Sequence, residues 1–588
     1  MSPHRRTWGA LAGLLCGLLA LGPALRPGYL LVYDMVFVPR LELSARTLGV
    51  DGSVPRAVPN DAVVALLSQL APGWVVQKVL LLAVFVGVGA GVAGLVRTRV
   101  GGVAAAVAAC WNPYVAERLA IGHWGFLLGY ACLPWVASAA AACRDGRPYG
   151  RCRLATALVL VALTGSTGSV LALIVAACVL LLPSAAAAAR GAAARLTDLV
   201  WVAVVALLAN APWWYPFLVV SADTPADSGG VEAFMSRADT PYGVLPSLLT
   251  GGGIWNKGVW FDERMSTVVA GVALVGVTVS VAFWVRSTGW RRHPATGGLA
   301  IAGVIGLLTA GLSSVVGGKD LVTWIVTSVP GGGLMRDSQK FVALWVILLA
   351  VCVGTLTEIA RAAMSRRQAG RAGSALLALA LAAWPVATLP SMAWGATGRW
   401  DAAQYPASQL DLAARIDRLP AGSVAVFPWT LYRRYAWNDD IVLLDPWQRL
   451  ISREVLVNDD LPLSSRTVRG ESSESRQIGD ALATGTDVTS VLRRVGVRYV
   501  LVLTDQPPAP GVPDVSRLDQ IVQAQDVALY DLGAGGVAPV AAPGGYRYAG
   551  LAAGGTALVV VAIAWVVAGL RRPSGDQSDR SVAHATMY

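Results

Sequence analysis

The chain has 588 residues, of which 55% are hydrophobic and only 14% charged, with a mean hydropathy of +0.56. A soluble domain carries roughly 25% charged residues, so this composition excludes an array of water-exposed domains and specifies a polytopic membrane protein. Lys and Arg number 47 against 36 Asp and Glu, a net +11, but bilayer topology collects basic residues on one side without any acidic partner, and no basic stripe for nucleic acid is present.

A membrane-crossing helix needs about 20 apolar residues. In chain order, apolar runs of that length or near it lie at 8–25, 75–95, 101–111, 124–143, 154–163, 170–182, 199–219, 267–285, 299–316, 341–359, 374–389 and 550–570. They predict about twelve spanning helices, the third, fifth and sixth of them short. Arginines test the count independently. Arg5/Arg6, Arg97/Arg99, Arg144/Arg147/Arg151/Arg153, Arg190/Arg195, Arg286/Arg291/Arg292, Arg361/Arg366/Arg367/Arg371 and Arg571/Arg572 occupy alternate connections. All fall on one face if every run crosses, and the positive-inside rule then places both termini in the cytoplasm. The first run has a basic start and an apolar middle, as a signal peptide does. Leu21–Arg26 is nevertheless a poor cleavage site, and the charge alternation requires this helix to stay.

The opposite face receives the loops near 26–74, 112–123, 220–265 and 317–340, together with one long polar stretch. The expected domains are a multi-spanning unit at 1–389, an extracytoplasmic α/β domain at 390–547, a last transmembrane helix at 548–572 and a disordered cytoplasmic tail at 573–588. Within the polar stretch, 422–428, 441–444, 497–503 and 527–532 read as strands, 409–419 and 488–495 as amphipathic helices, and 464–475 as a mobile polar loop. The seven cysteines lie in apolar segments or short inner loops without metal-ligand spacing, which gives no disulfide framework and no zinc site.

Four outer-face positions set ionisable residues against the cost of burying them near a bilayer. Asp34 stands alone in the apolar run Gly28–Pro39, where apolar surroundings are expected to raise its pKa and suit it to general base work. The stretch Asn112-Pro…Glu117-Arg118…Gly122-His123 carries one of only four histidines, and a helical turn there sets Glu117 and Arg118 to orient a phosphate or hydroxyl. The 220–265 loop holds Asp223, Asp227, Glu232, Asp239 and Asp262-Glu263-Arg264 among Trp213, Trp214, Trp255 and Trp260, a composition that suits a carbohydrate. Finally, Gly331-Gly-Gly-Leu-Met-Arg336-Asp-Ser-Gln-Lys340 places two cations four apart, on one face if the following helix begins early, beside a glycine run suited to a lipid phosphate. A serine nucleophile triad, a dinucleotide fingerprint and a Walker loop are all missing.

Asp34 in the first external loop, Asn112-Pro…Glu117-Arg118…Gly122-His123, Arg336–Lys340 before a late span, and Leu492-Arg-Arg-Val-Gly-Val-Arg-Tyr-Val-Leu-Val502 in the lobe together carry a resemblance. The chain resembles the GT-C superfamily of polytopic glycosyltransferases, nearest to actinobacterial cell-envelope mannosyl- and arabinofuranosyltransferases and to YfhO-like membrane proteins. Many such enzymes pair two acids in the first loop, whereas Asp34 has no acidic neighbour. The resemblance implies a polyprenyl-phosphate-linked sugar as donor, an envelope glycan or lipid as acceptor, Asp34 as the base, and Arg336 and Lys340, with Arg118, offsetting the leaving phosphate. The lobe would hold the acceptor. A divalent metal is compatible only if folding brings Asp34 together with Asp262 and Glu263. The rival classes are a flippase for a lipid-linked glycan and a non-catalytic envelope-assembly scaffold.

Overall fold

The structure is a computed structural model that describes residues 3–51, 57–220, 229–329, 331–366, 371–462, 467–470, 472–506, 511–524, 526–533 and 545–570. Asp223, Asp227, Arg367, residues 464–466, Arg571, Arg572 and the 573–588 tail lie outside the described residues.

Each of the twelve apolar runs forms a helix: Pro3–Leu21, Gly73–Ala93, Arg99–Cys110, Trp124–Arg144, Gly150–Ala162, Ser166–Leu181, Gly191–Val220, Thr267–Arg286, Thr296–Leu312, Val342–Arg366, Arg371–Ala387 and Ala549–Leu570. Among the described residues, seven helices are long and apolar enough to cross a membrane on their own, and eight if the bent pair Ala375–Ala387 and Pro390–Ala396 is one span. Arg99–Cys110, Gly150–Ala162 and Ser166–Leu181 have 12, 13 and 16 residues, short of the bilayer's requirement of about 20. The chain is thus a multi-pass membrane protein in which several helices fall below the length of a full crossing.

The polar contacts sort to two ends of the bundle. At one end Glu358 accepts from the backbone amides of Arg97 (2.7 Å) and Thr98 and lies 3.6 Å from Arg292. Arg97 reaches the Arg292 carbonyl, Arg5 the Val96 carbonyl and Arg144 the Pro294 carbonyl, while Arg151 and Arg190 both pair with Asp198. These are the arginines whose alternation the sequence displays. At the other end lie the loops carrying Asp34, His123, Asp239, Arg264 and Asp337, and successive helices run back and forth between the two ends. Close approach is permitted by glycine: a Cβ on Gly13 would sit 2.2 Å from the Phe85 carbonyl, and one on Gly354 2.6 Å from that of Gly101. Small residues at such crossings replace the hydrophobic drive that lipid surroundings remove.

The polar stretch folds around a five-stranded sheet in the order Val455–Leu456, Ser423–Phe427, Val497–Leu503, Val527–Asp531, Asp519–Gln523. The first three strands are parallel and the last two antiparallel to their neighbours. Val424, Ala425, Val426 and Phe427 are all fully buried, as a central strand covered on both faces requires. One face packs the helices Ser473–Thr484 and Val488–Arg494, through Ile478, Ala481 and Leu492. The other meets Ala407–Arg418 and continues through Tyr405, Tyr435 and Trp447 into the core of the bundle. Four expected strands and two expected helices are present with shifted ends, but 464–475 is not a loop throughout. Ser472 accepts from the Ser475 amide and caps a helix that starts at Ser473, a polar cap that reads as loop by composition alone.

Candidate active site

The loop that follows the first helix is buried within the protein. Residues 29–38 are threaded between bundle and lobe, with Leu30, Leu31, Met35 and Phe37 at most 2% exposed. A side-chain amide clamps the entry: Gln77 accepts from the Leu30 amide at 2.9 Å and donates to its carbonyl at 2.8 Å. Val32 and Met35 then close a tight turn, the Met35 amide donating to the Val32 carbonyl at 2.8 Å. Asp34 is the second central residue of that turn, and Tyr33, the first, is held in the left-handed region at φ 42. Such a backbone is costly for an aromatic residue and persists only where surroundings over-determine it. Here they do: the Tyr33 amide donates to the Val442 carbonyl at 2.7 Å, and the Leu444 amide donates to the Tyr33 carbonyl at 2.8 Å.

On the bundle side the turn rests on the segment after the Pro113–Ala120 helix. Asn112 caps that helix through its side chain, accepting from the Val115 amide at 3.0 Å, with Pro113 in the first turn, where its missing N–H costs nothing. The helix ends at Gly122, whose φ of +86 favours glycine and which has no room for more: a Cβ would meet the Met35 nitrogen at 2.3 Å and the Asp34 nitrogen at 2.8 Å. Gly122→Ala therefore has to push the Asp34 turn away. We expect it to destabilise the protein by about 2 kcal/mol through overpacking and left-handed strain, read as a lower midpoint in thermal unfolding.

Around Asp34 the charged side chains form one connected series. The Tyr432 hydroxyl donates to Oδ1 of Asp34 at 2.7 Å, and Nε2 of His123 lies 3.3 Å from Oδ2. Nδ1 of His123 faces Nη1 of Arg118 at 3.1 Å. Arginine can only donate, so Nδ1 accepts and the proton sits on Nε2, directed at Asp34. Arg118, fully buried, forms a two-pronged pair with Asp337 at 2.7 and 3.0 Å and also donates to Gln339. Lys340 completes the series, its Nζ 3.6 Å from Asp337. Exposure grades across it: the Arg118 side chain is 0% exposed, Asp337 12%, His123 16%, Lys340 24% and Asp34 42%. The series is thus solvent-exposed at Asp34 and Lys340 and buried at Arg118.

The expected rise in the Asp34 pKa does not occur. Burial pushes it up, but the hydrogen bond and charge of His123, the Tyr432 hydroxyl and the Lys340 cation together outweigh burial and hold the carboxyl below its ordinary value. His123 moves down as well, because burial and the nearby Lys340 and Arg118 oppose a second proton. Asp337 is driven far down despite burial, chiefly by Arg118 and Lys340.

Glu117, next to Arg118, faces away from this series into a second buried group. Arg264 donates to both oxygens of Asp239, at 2.6 and 3.0 Å, and lies 3.9 Å from Glu117. Burial, then the neighbouring Asp239, raise Glu117 well above the usual carboxylate range, while Arg264 holds Asp239 down at about 2 despite burial. Burial and the Asp239 charge thus favour the protonated form of Glu117, and Arg264 the ionised form of Asp239. This group braces the loop against the Pro113–Ala120 helix, the Ile254 amide donating to Glu117 at 3.3 Å.

The remaining predicted residues divide. Lys340 joins the series, but Arg336 and Lys340 do not share a helical face, because Gly332–Met335 and Ser338–Phe341 are separate 3-10 turns and the helix starts only at Val342. Arg336 lies over the Phe234 ring, 4.9 Å from its centre. Asp262 is exposed and Glu263 caps the turn at Ser391, accepting from its amide at 3.1 Å; neither touches the Asp34 series. Among the described residues no three His, Cys, Asp or Glu side chains gather so as to hold a metal ion. Sequence reasoning missed Asp337 as the counter-charge of Arg118 and Tyr432 as the partner of Asp34. The first was legible as an acid between two cations; the second lies 398 positions away and carried no local signal.

No protein-family profile matches the chain, and no curated protein matches it in sequence. Solved structures do match. The arabinofuranosyltransferase AftD from Mycobacteria aligns in one determination with a TM-score of 0.54 and 17% identity, over 91% of this chain and 42% of that one. A second determination gives 0.53 and 17%, over 91% and 40%. The chain therefore shares its fold with that protein and spans about two fifths of its length.

Proposed function

We propose that this chain transfers a sugar from a polyprenyl-phosphate donor to an envelope glycan or lipid acceptor at the outer face of the membrane, with Asp34 as the general base. The observation that carries this reading is the Asp34 carboxylate, held below its ordinary pKa and 42% exposed at the open end of a buried series of contacts that also includes the Lys340 ammonium. All twelve helices cross or enter the bilayer in this reading. The arginine-rich end faces the cytoplasm, and the 390–547 domain lies outside with the Asp34 series beneath it.

The chemistry follows from the residues. Oδ1 of Asp34 accepts from the Tyr432 hydroxyl and Nε2 of His123 lies 3.3 Å from Oδ2, two contacts that hold the carboxylate while its side chain stays 42% exposed. An acceptor hydroxyl there gives its proton to Asp34 as its oxygen attacks the anomeric carbon. The bond from that carbon to the donor's phosphate oxygen breaks, and the phosphate leaves with the electron pair. Lys340 offsets the developing charge, with Arg336 beside it, while Arg118 is spent on Asp337 and acts by holding the wall in place. No covalent protein nucleophile is required.

The test is transfer by the purified full chain in lipid nanodiscs, supplied with synthetic polyprenyl-phosphate sugars and oligosaccharide acceptors. A product heavier by one sugar supports the reading, and absence of product with every donor defeats it. Lys340→Ala leaves Asp337 paired with Arg118, so the fold is expected to survive. The turnover number should fall by about 100- to 1,000-fold, the cost of one lost electrostatic contact to a developing anion, with little change in KM.

A further inference from the structure

The sheet-bearing lobe reaches Asp34 by a specific route. Ser423–Phe427, the central parallel strand, runs with Val455–Leu456 on one side and Val497–Leu503 on the other. Open α/β sheets bind ligands beyond the carboxyl ends of their strands, where neighbouring connections diverge. The chain leaving that end of Ser423–Phe427 forms the hairpin Tyr432–Arg433 with Leu443–Leu444, Tyr432 opposite Leu444. Leu443 in turn bridges Tyr33 in parallel register. Asp34 therefore stands one residue beyond a backbone register shared with the lobe.

The base of the hairpin is fixed. Arg433 and Asp445, both fully buried, form an ion pair; Arg433 also donates to the Pro428 carbonyl at 3.0 Å, and Asp445 accepts from the Trp447 amide at 2.7 Å. The Asn438 side chain donates to the Leu31 carbonyl at 3.2 Å, and Arg449 donates to Asp61 at 3.0 Å. Tyr432 is thus presented from a rigid support, its ring edge-on to that of Tyr33 with centres 6.2 Å apart.

We propose that Tyr432 is a positioning residue of the transfer reaction: its hydroxyl, delivered by the lobe, orients the Asp34 carboxylate toward the acceptor, which makes the lobe one half of the active site. This rests on the reading of Asp34 as the base. The groups facing Asp34 are His123 from the end of the Pro113–Ala120 segment, Tyr432 from the lobe and Lys340 from the turn before Val342–Arg366, with Arg118 behind His123. Removing the tyrosine donor leaves the other three unchanged.

Tyr432→Phe in the full chain is therefore expected to lower the turnover number about tenfold, with KM nearly unchanged, and to move the acid limb of the rate profile upward by about one pH unit, as loss of a hydrogen bond to a charged group implies. A readout independent of the reaction is the pH below which a water-soluble carbodiimide labels Asp34, measured by peptide mass, since only the protonated carboxyl reacts. That onset should rise by a similar amount in Tyr432→Phe. An unchanged onset overturns the proposal even if transfer is observed. A wild type that transfers nothing defeats the reaction, and the labelling still decides whether Tyr432 controls Asp34. Should Tyr432→Phe fail to fold, 3-fluorotyrosine at position 432 keeps the shape and strengthens the donor; the labelling onset should then fall, and a constant onset again overturns the proposal.

Discussion

Asp34→Asn is expected to reduce sugar transfer by about a thousandfold, the scale of a lost general base, while leaving the protein folded. The hydrogen-bond geometry explains both halves. Asparagine has the same shape, and its carbonyl accepts from Nε2–H of His123, which must donate because Arg118 occupies Nδ1. The amide NH2 then faces Tyr432, whose hydroxyl rotates from donor to acceptor. Every polar atom keeps a partner, so the fold is spared, but no atom is left that can take a proton from an acceptor hydroxyl. Transfer assayed in nanodiscs beside a thermal-unfolding trace checks the pair of outcomes. Surviving activity removes Asp34 from the mechanism, and a collapsed protein removes the satisfaction argument.

The same contacts set the pH response. With Asp34 as the proposed base, activity requires its ionised form, and because its pKa is depressed in the folded protein, the rate is expected to be lost only as pH falls through that depressed value, below the ordinary carboxylate value of about 4. His123 is also depressed and stays neutral through the physiological range. The rate is therefore expected to show no inflection near the ordinary histidine value of about 6.5. A limb near that value would show His123 exchanging protons with substrate and would contradict the tautomer that Arg118 imposes.

Hydropathy made the helices legible because lipid-facing and core-facing positions are both apolar, so a crossing helix is written in composition and needs no periodicity. Their ends were less so. Gly191–Val220 runs well beyond 199–219 because polar residues continue a helix past the apolar run, and Arg99–Cys110 stops before Trp111 because Asn112-Pro113 starts a new helix. Asp34, Arg118, His123 and Lys340 stood out as isolated ionisable groups in apolar text. Their partners did not. Arg264 pairs with Asp239 and not with its neighbours Asp262 and Glu263, since a 3-10 turn points consecutive side chains in different directions. The sign of the Asp34 shift was misread for the same reason: apolar neighbours in sequence say nothing of Tyr432, His123 and Lys340 arriving from elsewhere.

Arg118 carries the largest structural consequence. Its guanidinium is fully buried and bound to Asp337, Gln339 and His123. Arg118→Met leaves the Asp337 carboxylate with Lys340 alone, 3.6 Å away, and a buried charge stripped of its main partner costs about 3–5 kcal/mol. We expect the temperature at which the nanodisc-embedded protein loses its native signal to fall sharply. Adding Asp337→Leu removes the stranded charge, and replacing a buried ion pair by well-packed apolar groups is often nearly neutral. The double variant should therefore recover most of the lost stability, with an interaction energy between the two sites of the same sign and scale as the single loss. It should not recover transfer. Without Arg118, Nδ1 of His123 loses its donor, the ring is free to change tautomer, and the contact that orients Asp34 is no longer fixed. Stability without activity would place Arg118 in the support of the base, whereas a double variant as unstable as the single one would mean that the guanidinium serves packing and not charge.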